Sequence, residues 1–363
     1  MKKVFILFVI FCMILMSACS LITDKDKPVY REGSILEEHK ETAKTNTPVQ
    51  VNQNKPAVDL TKVDGATSKA GSSEDRYTTF YYQDQDGLLI PITRKTPRVE
   101  GIAKTAIHSL IDMPVIREDV GRVGLYPVLP RGAVINGMTI KDGTAVIDFN
   151  EKLINYDSQD DESNIMSSIV YTLTEFDTIN KVQVLVNGNK ISGQKSENRS
   201  DIPMLRNGIN SLDGYINHSE ENKEPIEVYF VKLINNKYKY YVPITKYINK
   251  PTGDFDRYSR TLNELIKGEA GNNGLKSYIP KNTTLKGVQV EGQMVILDFD
   301  DEILSGTATD ASFNTMLDQI VLCFKQFGRV KKVKVLVNGK PLEFPVDYKG
   351  KEALDVPVYV NQF

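Results

Sequence analysis

Along this chain the spacing of apolar and polar positions switches between a period of two and a period of about 3.6, and the blocks recur in the same order twice. Residues 78–82 and 88–93, parted by Asp86-Gly87, predict a β-hairpin. Val99, Ile102, Ala103, Ala106, Ile107, Leu110 and Ile111 then form one apolar helical stripe. Pro97 suits the first turn of that helix and Pro114 its end. Runs 134–140 and 145–149 flank Asp142-Gly143, a second hairpin signal. A helix over 165–176 and a β-rich strand, Val182-Gln183-Val184-Leu185-Val186, closed by Asn187-Gly188, complete the set.

The second set predicts strands at 226–233 and 239–245 and a helix over 254–267 whose stripe is Phe255, Tyr258, Leu262, Leu265 and Ile266. Strands at 284–290 and 293–299 turn at Glu291-Gly292, before a helix over 310–327 and a strand over 331–337. The repetition reaches individual residues. Val333-Lys334-Val335-Leu336-Val337-Asn338-Gly339 repeats the earlier strand 151 residues on, and Ile165, Met166, Ile169, Val170 and Phe176 fall on Met316, Leu317, Ile320, Val321 and Phe327. Pro130, Gly137, Asp148 and Phe149 match Pro280, Gly287, Asp298 and Phe299 at 150, and Pro91-Ile92-Thr93 matches Pro243-Ile244-Thr245 at 152. Asp201-Ile202-Pro203-Met204 with Asn207 pairs with Asp355-Val356-Pro357-Val358 and Asn361 at 154. Offsets that drift while chemistry persists mark loop insertions between two copies of one globular domain. Each copy predicts β-β-α-β-β-α-β, an α+β layer with helices on one face of a mixed sheet.

Composition adds an address. Lys2 and Lys3 precede an apolar run, residues 4–16, too short for the roughly 20 residues of a membrane span, and then come Ser17, Ala18 and Cys19. A basic start, a short apolar centre and small residues at the exit predict a secretory signal peptide over 1–18, cleaved between Ala18 and Cys19. Residues 19–75 are polar, with apolar residues too scattered to form a face, which predicts a tether reaching on the order of 40 Å. The first domain is then 76–210, a linker 211–224, and the second domain 225–363, each long enough to bury a core. With 45 Lys+Arg against 47 Asp+Glu, the chain lacks the basic field of a nucleic-acid binder.

Candidate chemistry is thin. Of three histidines, His39 lies in the tether and His218 in the linker, while His108 flanks an apolar stripe and aligns with Asn263. None is duplicated, and no paired acid and base or Cys/His set stands within one domain, so no catalytic residues are assigned. Once Cys12 is removed with the signal and Cys19 is modified, Cys323 is left without a disulfide partner, at core spacing with Met316, Ile320 and Phe327. Asp298, Asp300, Asp301 and Glu302 form an acidic cluster, but an EF-hand loop begun at Asp298 needs glycine where Ile303 stands. The expected role of Asp148 and Asp298 is to accept loop N–H bonds, and no metal or other cofactor is expected.

Met16-Ser17-Ala18-Cys19 resembles the lipobox of bacterial lipoproteins, which implies a diacylglyceryl thioether on Cys19 and acyl chains that anchor the chain to the membrane. The hairpin from Pro130-x-Gly132 to Asp148-Phe149, the helix after it and the Val-x-Val-x-Val-Asn-Gly strand resemble the GERMN domain. Two in tandem behind a lipobox resemble the GerM-type sporulation and spore germination lipoproteins. The second copy departs at Lys281-Asn282, which predicts a turn of different shape there. The resemblance implies a place outside the cell membrane of a spore-forming Gram-positive cell, between mother cell and forespore. Similarity to ring-building domains of secretion systems implies docking onto a protein complex rather than catalysis. The competing readings are a peptidoglycan enzyme, which needs a catalytic set, and a solute-binding lipoprotein, which needs two lobes of parallel α/β build about a cleft.

Overall fold

The computed structural model describes residues 76–191, 203–206, 208–211, 222–271, 273–306 and 308–363. The signal peptide, the tether and Ala18-Cys19 lie outside them, as do Asn207 and most of the linker.

The first copy runs β1 (Arg76–Gln83), β2 (Leu89–Thr96), α1 (Ile102–His108), α2 (Pro114–Gly121), β3 (Ile135–Lys141), β4 (Thr144–Phe149), α3 (Gln159–Leu173), β5 (Lys181–Val186) and β6 (Asn189–Lys190). The second runs β7 (Lys223–Ile234), β8 (Tyr238–Asn249), α4 (Asp254–Lys267), β9 (Leu285–Glu291), β10 (Met294–Phe299), α5 (Asp310–Cys323), β11 (Lys332–Val337), β12 (Lys340–Pro341) and β13 (Leu354–Asp355). This is the α+β tandem that the hydrophobic pattern predicts.

In each copy the later strands form a mixed sheet, β3-β4-β5-β6 in one and β9-β10-β11-β12 with β13 beside β11 in the other. The hairpins at Asp142-Gly143 and Gly292 are antiparallel, whereas β4 lies parallel to β5 and β10 to β11. A parallel neighbour demands a crossover, which α3 and α5 supply. The Asn-Gly pairs turn as expected, with Asn187 at φ 49° and Asn338 at φ 50°, each followed by a glycine at φ 76°. Pro130 and Pro280 each close a turn by accepting the N–H three residues on, from Ala133 and Thr283. Only the first turn takes a positive φ, 83° at Gly132, so the two differ in shape as the Lys281-Asn282 departure predicts.

The first hairpin of each copy, β1/β2 or β7/β8, is its own two-stranded sheet. α3 touches both β1 and β5, and nine of its 15 residues are buried, too many for a one-sided stripe. Its N-terminus is fixed by a reciprocal cap between Ser158 and Asp161, a turn before the apolar spacing begins.

Three sequence expectations are corrected. The helix beginning near Pro97 is two short helices: α1 starts after Gly101, leaving Val99 39% exposed, and Pro114 begins α2 instead of merely ending α1. Proline suits a helix's first turn because the N–H it lacks there would have no partner. The tails align differently. Met204 bridges Val182 as Leu354 pairs with Val333, so Met204 corresponds to Leu354 rather than to Val358; strand register overrides the short Asp-x-Pro likeness. Third, one continuous apolar core runs through both copies, where separate cores were expected.

Candidate functional site at the seam between the copies

The residues that the sequence singles out for chemistry are engaged locally. Asp148 and Asp298 accept the N–H of Gly188 and Gly339, each at 2.8 Å, and so tie a strand end to the Asn-Gly turn beside it. Asp300 accepts the Thr284 N–H, and Glu302 accepts the Ser305 hydroxyl. Among the described residues no group of three His, Cys, Asp or Glu is placed to hold a metal ion. Burial, with Lys104 adding to it, lowers the pKa of His108. Cys323 is fully buried and accepts the Tyr229 N–H at 3.4 Å; burial pushes its thiol up to about 12, against that bond, which leaves it no nucleophile.

The chemistry of the fold is concentrated elsewhere, where strands β2 and β8 meet. Asn210 accepts the Leu89 N–H through Oδ1, and its Nδ2 donates to the carbonyls of Leu89 and Pro243. Asn361 accepts the Tyr241 N–H through Oδ1, and its Nδ2 donates to the carbonyls of Tyr241 and Pro91. Exchange β2 for β8 and one description becomes the other. Both asparagines sit in the left-handed region, at φ 50° and 49°, a conformation Asn tolerates better than most residues. Asn210, not Asn207, is therefore the partner of Asn361.

The tails are reciprocal. The Thr245 N–H on β8 donates to Ile209 of the first copy's tail, while the Thr93 N–H on β2 donates to Asn361 and Phe363 donates back to Thr93. Each copy thereby fastens the other's hairpin. At the far end of β7, Lys232 meets Asp84 and, at 2.6 Å, Asp86 of the first copy's turn.

Near the C-terminal ends of α3 and α5 the seam holds a charged cluster. Glu175 accepts the Tyr81 hydroxyl at 2.8 Å, Arg206 at 2.8 Å and Lys325 at 3.2 Å. Burial opposes its charge, but Arg206, Lys325 and the Tyr81 hydroxyl outweigh that and hold the carboxyl down at about 2. The Arg206 guanidinium also lies 4.5 Å over the Tyr171 ring. Above this cluster opens a cleft of about 630 Å³ with Glu227, Lys331 and Val356 on its walls.

Sequence reasoning found the strands at this seam through the repeated Pro-Ile-Thr, but not Asn210, Arg206, Glu175 or Lys232. A lone Asn followed by polar sequence carries no periodicity, and charges that close a tertiary contact look like ordinary surface charges.

Comparison with known proteins agrees with this architecture. The chain is 30% identical over 303 residues to the spore germination protein GerM of Bacillus subtilis (strain 168), covering 82% of this chain and 80% of that protein. The solved tandem GerMN domains of the sporulation protein GerM from Bacillus subtilis match with a TM-score of 0.67 and 29% identity, over 80% of this chain and 99% of that one. The model of the family Germane, described as sporulation and spore germination, matches residues 79–192 and 227–343, one stretch in each copy. This chain therefore belongs to the Germane family of sporulation and spore germination proteins and carries two GerMN domains in tandem.

Proposed function

We propose that the protein is a lipid-anchored, non-enzymatic assembly component that works on the outer face of the cell membrane, in sporulating cells in the space around the forespore. Its two domains dock onto a protein complex of that envelope. One observation carries the reading: the polar groups that both copies keep act as internal fasteners. Asp148 and Asp298 hold a turn, and Asn210 and Asn361 hold the seam. What duplication preserved is a shape, which suits docking better than catalysis. The anchor rests on the Met16-Ser17-Ala18-Cys19 sequence, whose acyl chains each gain about 0.8 kcal/mol per buried methylene.

The test separates anchor from dock. Cys19→Ser should move the protein from the membrane fraction to the soluble one while its melting temperature stays unchanged. Retention on membranes in high salt rejects the anchor. Chemical crosslinking in sporulating cells should capture an envelope protein with the wild type and lose it with surface variants that melt normally. Loss of function in a stable, partner-binding His108→Ala or Asp148→Asn protein would return the reading to catalysis or metal binding.

A further inference from the structure

We propose that the cleft between the two copies is a binding site for a short amphoteric peptide, one carrying both a carboxylate and an ammonium group. The first observation is where the copies part company. Hairpin register makes Thr79 the counterpart of Glu227 and Thr93 that of Thr245, and the duplicated helices make Thr174 and Glu175 the counterparts of Lys325 and Gln326. In the first copy this position is closed: the Thr79 and Thr93 hydroxyls bond each other at 2.9 Å, and Thr93 donates to the Val360 carbonyl. In the second copy Thr245 is kept, Glu227 and Lys325 stand where the first copy has Thr79 and Thr174, Gln326 stands where it has Glu175, and all four line the cleft. The Asn210 and Asn361 brackets beside it kept their two-fold likeness.

The second observation is unanswered polarity. Thr245, on the cleft wall, is 1% exposed, and among the described residues no group bonds its hydroxyl. Few buried hydroxyls in folded proteins go without a partner. Asp177 of the first copy and Lys331 of the second are exposed on the cleft walls, and among the described residues no ion pair engages either. Charges deeper in are already matched: Arg206 and Lys325 share Glu175, and Arg257 holds Glu224 at 2.6 Å. Neither sign dominates the walls, so the cleft does not select a plain anion or a plain cation. One acid and one base left open on different copies ask for a ligand that bears both charges.

Third, the cleft has the size and surfaces for such a ligand. Its roughly 630 Å³ falls inside the range of small-ligand sites, and Phe327, Pro357 and the 70% exposed Val358 supply apolar wall. Arg206, locked by Glu175, by the Tyr81 hydroxyl and over Tyr171, gives it a fixed base. The proposal does not depend on the lipid anchor or on an envelope partner.

The experiment incubates the full-length protein, in detergent, with a mixture of tetrapeptides that have free termini and each contain one lysine and one glutamate. A second mixture is acetylated, amidated and made only of neutral residues. Equilibrium dialysis read by mass spectrometry measures retention, and calorimetry gives the affinity of the retained peptides. Amphoteric peptides should bind saturably and the neutral set at least about 10-fold more weakly, the scale of one charge-assisted hydrogen bond. Lys331→Gln and Asp177→Asn should each weaken binding about 10-fold while melting stays unchanged, since both side chains are exposed. Retention of neither mixture, equal retention of both, or affinity indifferent to the two substitutions would each overturn the proposal.

Discussion

On β7 the side chains invert what alternation alone predicts: Lys232 is 5% exposed while the neighbouring Leu233 is 53% exposed. The inversion is a tertiary choice, because Lys232 reaches the buried carboxylate of Asp84, whose Oδ1 already accepts two N–H bonds of its own turn. Removing the lysine strands that charge in the interior, so Lys232→Ala should cost roughly 3–5 kcal/mol in urea unfolding. Combining it with Asp84→Asn should recover part of the loss, and a cost below about 1 kcal/mol would show that the pair is solvated. Glu175 makes a pH prediction whose sign is fixed by its depressed pKa. Held at about 2 against an ordinary 4.5, its contribution is complete above about pH 4.5 and lost as pH falls towards 2. Glu175→Gln should therefore flatten the decline of stability across that window. An unchanged pH profile would mean that other carboxylates govern acid unfolding.

At the scale of elements, the two leading hairpins differ in length: β1 and β2 have 8 residues each, β7 and β8 have 12. The additional length carries the tip onto the first copy, where Tyr240 donates to the Val123 carbonyl. Gly124 lies under that tip at φ 79°, and a Cβ there would stand 2.4 Å from Ile234 and 3.0 Å from Asn235. Gly124→Ala combines backbone strain with overpacking and should destabilise by roughly 2–4 kcal/mol, measured by thermal melting. Gly101→Ala supplies the control, with a similar φ of 71° and no atom within 4 Å of its Cβ; equal costs would mean that strain alone acts. Element boundaries were legible where local chemistry marks them. α4 spans the 254–267 that its stripe predicts, and the Asn-Gly turns fall where expected. The break between α1 and α2 was not legible, because Ile107, Leu110 and Ile111 keep helical spacing across it.

For the whole molecule, the reciprocal tails and the continuous core predict that residues 76–363 unfold in one cooperative transition. Deleting residues 360–363 removes the Thr93 contacts and the Asn361 bracket, which belong to the second copy but hold the first. The first copy should then lose hydrogen-exchange protection at β2, with a fall in overall stability of about 2–4 kcal/mol for several neutral hydrogen bonds. Two separate transitions in the intact chain, or a deletion that destabilises only the second copy, would contradict that coupling.

The sequence by itself determined the duplication, the order of strands and helices, and the family. These depend on periodicity, turn residues and repeated side chains, all written locally along the chain. It also placed Cys323 in the core and Asp148 and Asp298 on their turns, since both follow from neighbours within one repeat. Only the tertiary structure decided how the copies meet. Asn210 bonds strands 121 and 33 residues away, and Asn361 reaches 270 residues back to Pro91. Contacts at such separations leave no periodic trace, because they join surfaces rather than successive positions. The same reason hid the charged cleft: its residues come from both copies, and only the fold brings them to one wall.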